Sequence, residues 1–222
     1  MLSGFSPTLI LVLNLAGTFV FGLSGGMAAV RRGLDVFGAV VLAAVVGLAG
    51  GVIRDLLIGR PPATFRDWRY LAVAGGAGLV TSLMHPTLDR LQRPIETMDA
   101  AGLSLFCVTG AATALAYRLG TAEAIILGAI TGIGGGMVRD VLIGEIPEVL
   151  RRGLYAIPAL VGAGIVVLAY REGNRSVVFP IIGAAACFGI RMAGLRYNLN
   201  LPAATDLPDH VDPRRLRKRE RR

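Results

Sequence analysis

Gly47-Leu48-Ala49-Gly50-Gly51-Val52-Ile53-Arg54-Asp55-Leu56-Leu57-Ile58-Gly59 returns 85 residues later as Gly132-Ile133-Gly134-Gly135-Gly136-Met137-Val138-Arg139-Asp140-Val141-Leu142-Ile143-Gly144. Eight of the thirteen positions are identical, without a gap, and matches continue outward at Gly25/Gly110, Arg66/Arg151 and Tyr70/Tyr155. Chance similarity of apolar sequence does not keep a Gly-Gly-x-x-Arg-Asp core in register. The chain therefore contains two copies of one unit.

The surroundings of the motif say where those copies sit. Of the 222 residues, 54% are hydrophobic and 17% charged, against about a quarter charged in an average soluble domain. Crossing a hydrocarbon core of roughly 30 Å takes about 20 mostly apolar residues. Apolar runs predict seven spans: Pro7–Val30, Val36–Ile58, Trp68–Met84, Met98–Tyr117, Ala122–Ile143, Leu154–Tyr170 and Val177–Leu195. The fold class is thus an all-α integral membrane protein with seven transmembrane helices. Thirty glycines fit that solvent, because small residues let helix backbones approach closely where packing drives association.

The transmembrane domain covers residues 1–196, with a first three-helix repeat at 7–85, a second at 92–170 and a seventh helix at 177–195. Residues 197–222 read as a disordered basic cytoplasmic tail, ending in Arg214-Arg215-Leu216-Arg217-Lys218-Arg219-Glu220-Arg221-Arg222. No Lys or Arg precedes the first apolar run, so it reads as a permanent helix with a short exported N-terminus and not as a cleaved signal. A unit of three spans is odd, and its second copy enters the membrane from the opposite side. The repeat is inverted, an architecture of many transport proteins whose pathway lies at the repeat interface.

Lys and Arg on alternate sides give 7 against 6 without the tail and 14 against 6 with it. By the positive-inside rule the C-terminus is cytoplasmic and the N-terminus outside, in the cell inner (plasma) membrane. Seven spans also make attraction to anionic membrane lipids the reading of the basic tail; no nucleic acid partner is expected.

The motif offers two chemistries. Gly47, Gly50 and Gly51, and Gly132, Gly134, Gly135 and Gly136, weaken their helices in mid-membrane. A break there frees carbonyls that are tolerated only in protein or beside a wet cavity, where they could coordinate a cation; alternatively the glycines permit a tight helix crossing. Arg54, Asp55, Arg139 and Asp140 follow each break, where an isolated charge costs about 2.5–3.5 kcal/mol. Neighbours at i and i+1 do not face each other on a helix, so the expected pairs are Arg54 with Asp140 and Arg139 with Asp55, either as a structural lock or as a pathway lining. Arg191, in the seventh span, is expected to snorkel toward the cytoplasmic interface or to set the field of the pathway. Trp68, Tyr70 and Tyr155 read as interface anchors.

Other functions are poorly served. Cys107 and Cys187 lack CxxC spacing and read as core residues, while His85 and His210 are isolated, so no metal site is expected. Met137 stands where a dinucleotide fingerprint wants its last Gly or Ala. No catalytic arrangement or cofactor is indicated, and the protein is not expected to be an enzyme.

The duplicated motif, the three-plus-three-plus-one spans, and Arg191-Met192-Ala193-Gly194-Leu195-Arg196 followed by Leu201-Pro202 resemble the prokaryotic branch of the trimeric intracellular cation (TRIC) channels. Bacterial proteins of this kind are also labelled glycine-transporter-like. The resemblance covers residues 7 to about 202 and implies a homotrimer with one pore per protomer, potassium as the permeant ion and possible bound lipid. It also implies kinks at Gly50, Gly51, Gly135 and Gly136, with Arg54, Asp55, Arg139, Asp140 and Arg191 near the pore. The first copy has Ala49 where the second has Gly134, so the glycine triplet is complete only in the fifth span. Two functions stay open: a potassium channel lined by broken second and fifth helices, or a secondary transporter of a small amino acid such as glycine.

Overall fold

The structure, a computed structural model, describes residues 6–83, 92–151, 154–197 and 199. Most of the basic tail, together with His85, Arg90 and Arg152, lies outside the described residues. All secondary structure among the described residues is helical: α1 (Pro7–Arg31), α2 (Val36–Leu57), a 3₁₀ turn (Ala63–Phe65), α3 (Trp68–Leu83), α4 (Gln92–Ala116), α5 (Thr121–Leu142), the single turn α6 (Glu148–Arg151), α7 (Ala156–Arg171) and α8 (Val178–Tyr197). The seven long helices correspond to the seven expected spans. Of these, α1, α2, α4, α5 and α8 carry at least 18 apolar-rich residues, enough to cross a membrane.

Adding 85 to the bounds of α1 and α2 gives the bounds of α4 and α5. The helix ends repeat as well. Gly59 and Gly144 take φ of +72° and +73°, with the next residue's N–H bonded back to the Asp55 and Asp140 carbonyls at 2.9 and 2.8 Å, the glycine-terminated cap that satisfies the last free carbonyls of a helix. Gly33 (φ +72°) ends α1 in the same way, but its counterpart ending α4 is Arg118, at φ +62°.

Two exposed contacts fix the relative direction of the copies. The Arg32 guanidinium pairs with the Glu145 carboxylate, joining the α1–α2 turn to the segment after α5. Arg60 Nη1 donates to the Tyr117 hydroxyl at 3.1 Å, joining the segment after α2 to the α4–α5 turn. Tyr117 is the repeat counterpart of Arg32 and Glu145 that of Arg60, so one contact occurs twice, once at each end of the bundle. The repeat is inverted in space.

Three expectations change here. The fourth span, expected to begin at Met98, is helical from Gln92 onward, because Pro94 stands in the first turn, where its missing N–H has no helical partner to lose. Tyr70 and Tyr155 are not interface anchors: they are 8% and 1% exposed, while Trp68 is 75% exposed. The expected breaks in the second and fifth spans do not interrupt the helix, since α2 and α5 are each continuous through their glycines.

The glycines instead set the crossings. A Cβ on Gly50 would collide with the Thr131 carbonyl oxygen, and one on Gly135 would lie 2.9 Å from the Val46 oxygen, which is the repeat-related contact. Gly47 meets the Thr18 oxygen at 2.6 Å and Gly132 the Leu103 oxygen at 2.8 Å by the same measure, again a repeat-related pair. Backbone therefore packs on backbone between α1 and α2, between α4 and α5, and between α2 and α5.

Candidate functional site

Each motif arginine turns back onto its own neighbour. Arg54 Nε donates to Asp55 Oδ1 at 2.7 Å, and Arg139 donates to Asp140 Oδ1 from Nε at 3.0 Å and from Nη2 at 2.8 Å. The expected cross pairs, Arg54 with Asp140 and Arg139 with Asp55, do not form. The crossing contacts run in opposite residue order on α2 and α5, so the two helices are antiparallel. Each arginine lies four residues beyond the crossing glycine, about 6 Å along its own axis. The two are carried toward opposite ends of the bundle, and the long guanidinium stem reaches the adjacent carboxylate instead.

Each motif aspartate holds down the chain that follows its helix. Asp55 Oδ2 accepts the Ala63 N–H at 2.8 Å, and Asp140 Oδ2 accepts the Glu148 N–H at 2.9 Å, positions that are again 85 apart. Asp55 Oδ1 also pairs with Arg60 Nη2 at 2.9 Å. All four motif charges are buried, at 5% exposure or less. Pairing and hydrogen bonding compensate a burial that would otherwise cost several kcal/mol per ion.

The third partner differs between the copies, and sequence reasoning passed over it. Arg54 Nη1 donates to Asn14 Oδ1 at 3.0 Å, whereas Arg139 Nη1 donates to Asp99 Oδ1 at 2.7 Å and to Ser24 Oγ at 2.6 Å. Asn14 and Asp99 are repeat counterparts. The signal was available: each is a polar residue within or at the edge of an apolar run, at the 85-residue offset.

Arg191 does not snorkel. It is 1% exposed, with Nη2 2.6 Å from Glu148 Oε2, Nη1 donating to the Leu154 carbonyl at 3.3 Å, and the guanidinium 4.6 Å from the centre of the Tyr155 ring. A cation over an aromatic face and beside a carboxylate is stable without reaching water. Helix α8, which stands outside the repeat, thereby adds a charge to one motif cluster. The Tyr155 hydroxyl and Asp99 Oδ1 both converge over Gly136, where a Cβ would lie 2.6 Å from that oxygen and would strike the hydroxyl. The cluster around Arg139 contains Asp99, Asp140, Glu148 and Arg191; the cluster around Arg54 contains Asp55 and Arg60.

A cavity opens above each cluster. One, of about 260 Å³, is lined by Arg139 and Asp140 at depth and by Arg31, Arg32, Glu96 and Glu145 among others. The other, of about 280 Å³, is lined by Arg54, Arg60 and Asn14 together with Ile10, Leu11, Ala116 and Tyr117. Ile10, Leu11, Arg54, Arg60, Ala116 and Tyr117 correspond to Ile95, Glu96, Arg139, Glu145, Arg31 and Arg32. The two cavities are one vestibule built twice, at opposite ends, with Leu11 exchanged for Glu96 and Ala116 for Arg31. A recess of about 10 Å³, bordered by Thr18, Gly47, Gly51 and Phe106, continues inward from the Arg54 cluster. Among the described residues no group of His, Cys, Asp and Glu is disposed to hold a metal ion, and Cys107 and Cys187 are buried free thiols.

Known proteins share this architecture. The family described as Glycine transporter matches twice, at residues 11–86 and 96–171, two matches that begin 85 residues apart. A UPF0126 membrane protein of Streptomyces coelicolor is 49% identical over 198 residues, covering 88% of this chain and 91% of that protein. The UPF0126 inner membrane protein YadS of Escherichia coli K12 is 34% identical, covering 86% and 93%. Among solved structures, the TRIC trimeric intracellular cation channel orthologue from Rhodobacter sphaeroides superimposes with a TM-score of 0.83 at 37% identity, covering 86% of this chain and all of that one. A second prokaryotic TRIC channel gives 0.82 at 32% identity, covering 88% of this chain and all of that one.

Proposed function

We propose, from the premise that this chain belongs to the prokaryotic TRIC channel family, that it is a passive channel for monovalent cations with potassium as its main ion. The observation that carries this reading is the pair of repeat-related vestibules, one at each end of the bundle and each ending on a buried arginine–carboxylate cluster. A single path joining them would run between α1, α2, α4 and α5 of one protomer. The carboxylates Glu96, Glu145 and Glu148 of one vestibule and the Thr113 and Tyr117 side chains of the other supply oxygen ligands for a partly dehydrated cation, while the aspartates paired with Arg54 and Arg139 offset the repulsion that free arginines would exert.

The same premise supports a homotrimer in a lipid bilayer with one pore per protomer, and an inner-membrane protein with its N-terminus outside and its C-terminus cytoplasmic. Under that orientation the charged vestibule around Arg139 faces the cytoplasm, together with the basic tail.

Potassium efflux from liposomes containing the purified protein tests the reading, with glycine uptake measured in parallel. Fast potassium flux that Gly135→Leu abolishes is the expected result. Saturable glycine uptake without ion flux would instead make the protein a transporter of that amino acid.

A further inference from the structure

We infer that Phe21 and Phe106 form an apolar plug that closes the path at the level where the two vestibules approach each other. The inference rests on the channel reading and places its constriction. Helix α1 lines both vestibules, with Asn14 at the inner end of one and Ala28 in the wall of the other. Phe21 lies seven residues from each, about 10 Å of helix rise either way. On α4, Phe106 stands between Glu96, in the wall of one vestibule, and Thr113, in the wall of the other.

The two phenylalanines are repeat counterparts, and they meet. Their ring centroids are 5.5 Å apart at an interplanar angle of 26°, and the residues are 0% and 1% exposed. Each ring is seated on glycines of the opposite copy. A Cβ on Gly102 would lie 2.6 Å from the Phe21 ring and one on Gly135 3.2 Å from it; a Cβ on Gly17 or Gly50 would lie 3.2 or 3.5 Å from the Phe106 ring. Gly17 pairs with Gly102 and Gly50 with Gly135 under the 85-residue offset, so the whole assembly obeys the internal two-fold.

A stacked aromatic pair bounded by backbone gives a hydrated cation no ligand, and apolar constrictions of this kind stop conduction by excluding water. The recess of about 10 Å³ reaches the Phe106 ring from the Arg54 side, room for about one water molecule, and the ring forms part of its wall. Gly50 and Gly135 serve two purposes: they make the α2–α5 crossing and they seat the rings. A shift of α2 against α5 therefore moves both seats together, which couples the crossing to the constriction.

The test is potassium flux through purified protein in liposomes for the wild type, Phe21→Leu, Phe106→Leu, Phe21→Ala, Phe106→Ala and the double alanine variant. Every sample is first required to be monodisperse by size-exclusion chromatography. Flux is expected to rise in the order Phe, Leu, Ala, reaching about tenfold over wild type in the double variant as the closed population loses its plug. The leucine variants keep most of the packing, so they decide the matter if an alanine variant does not fold. Wild-type flux that no folded variant changes would overturn the plug while leaving the channel reading intact. No cation flux from the wild type or any variant would overturn both.

Discussion

Asn14 and Asp99 occupy the same place in the two halves of the molecule, and each accepts a hydrogen bond from Nη1 of its half's motif arginine, at 3.0 and 2.7 Å. One half meets the guanidinium with a neutral amide and the other with a fully buried carboxylate. The first half thus shows that the geometry holds without the charge.

Asp99→Asn should therefore fold and keep its melting temperature within a few degrees of wild type, a change of about 1 kcal/mol. Asp99→Leu offers no acceptor and should lose about 3–5 kcal/mol, the cost of stranding part of a buried pair. Thermal unfolding of the detergent-solubilised protein distinguishes the two; equal losses would mean that the charge itself, and not the hydrogen bond, is required.

Glycines in this fold divide by what surrounds them. Gly50→Ala and Gly135→Ala force backbone apart at the α2–α5 crossing and should each cost about 1–3 kcal/mol. Gly75→Ala and Gly164→Ala meet nothing within 4 Å and should be neutral or stabilising by up to about 1 kcal/mol, the helix-propensity difference. A thermal-shift comparison of the four variants would contradict the packing account if the two classes overlapped.

Arg191 and Glu148 should behave as a unit. Glu148→Gln should destabilise by about 3 kcal/mol by taking the carboxylate from buried Arg191, Arg191→Met should cost less because Glu148 is only half-buried, and the double variant should lose less than the sum. A double-mutant cycle with a coupling energy near zero would show that the Tyr155 face and the Leu154 carbonyl hold Arg191 unaided.

At the end of α4, Arg118 takes the left-handed conformation that Gly33 takes in the other copy. A left-handed L-residue costs about 1–2 kcal/mol, partly offset by the greater freedom that glycine gives the unfolded chain. Arg118→Gly should raise stability by up to about 1 kcal/mol, read as a higher midpoint of thermal unfolding.

The repeat, its inversion and the seven helices were legible in the sequence because each follows from spacing: an 85-residue offset, an odd number of spans, and the length of apolar runs. The pairing of Arg54 and Arg139 was not. Helix-surface rules describe side chains of ordinary reach, whereas a buried guanidinium can fold back onto its neighbour, and the antiparallel crossing carries the two motifs apart. Tyr155 and Arg191 were misplaced for a related reason. Amphipathic residues near the ends of spans resemble interface anchors until a partner such as Glu148 turns them inward. Asp99 was missed because it stands one residue inside an expected span boundary, where a polar residue attracts no notice.

The paired contacts at the two ends of the bundle, Arg32 with Glu145 and Tyr117 with Arg60, bear on how direction enters such a molecule. A backbone assembled from one unit and its upside-down copy has no inherent up or down; turned over, it would present the same outline. Within the two copies sidedness is written in side chains, an ion pair at one rim against a phenol at the other, Glu96 against Leu11, Asp99 against Asn14, and α8, which has no counterpart, marks the Arg139 end. Exchanging those few residues between the halves would reverse the polarity of the repeated pair while α8 stayed where it is.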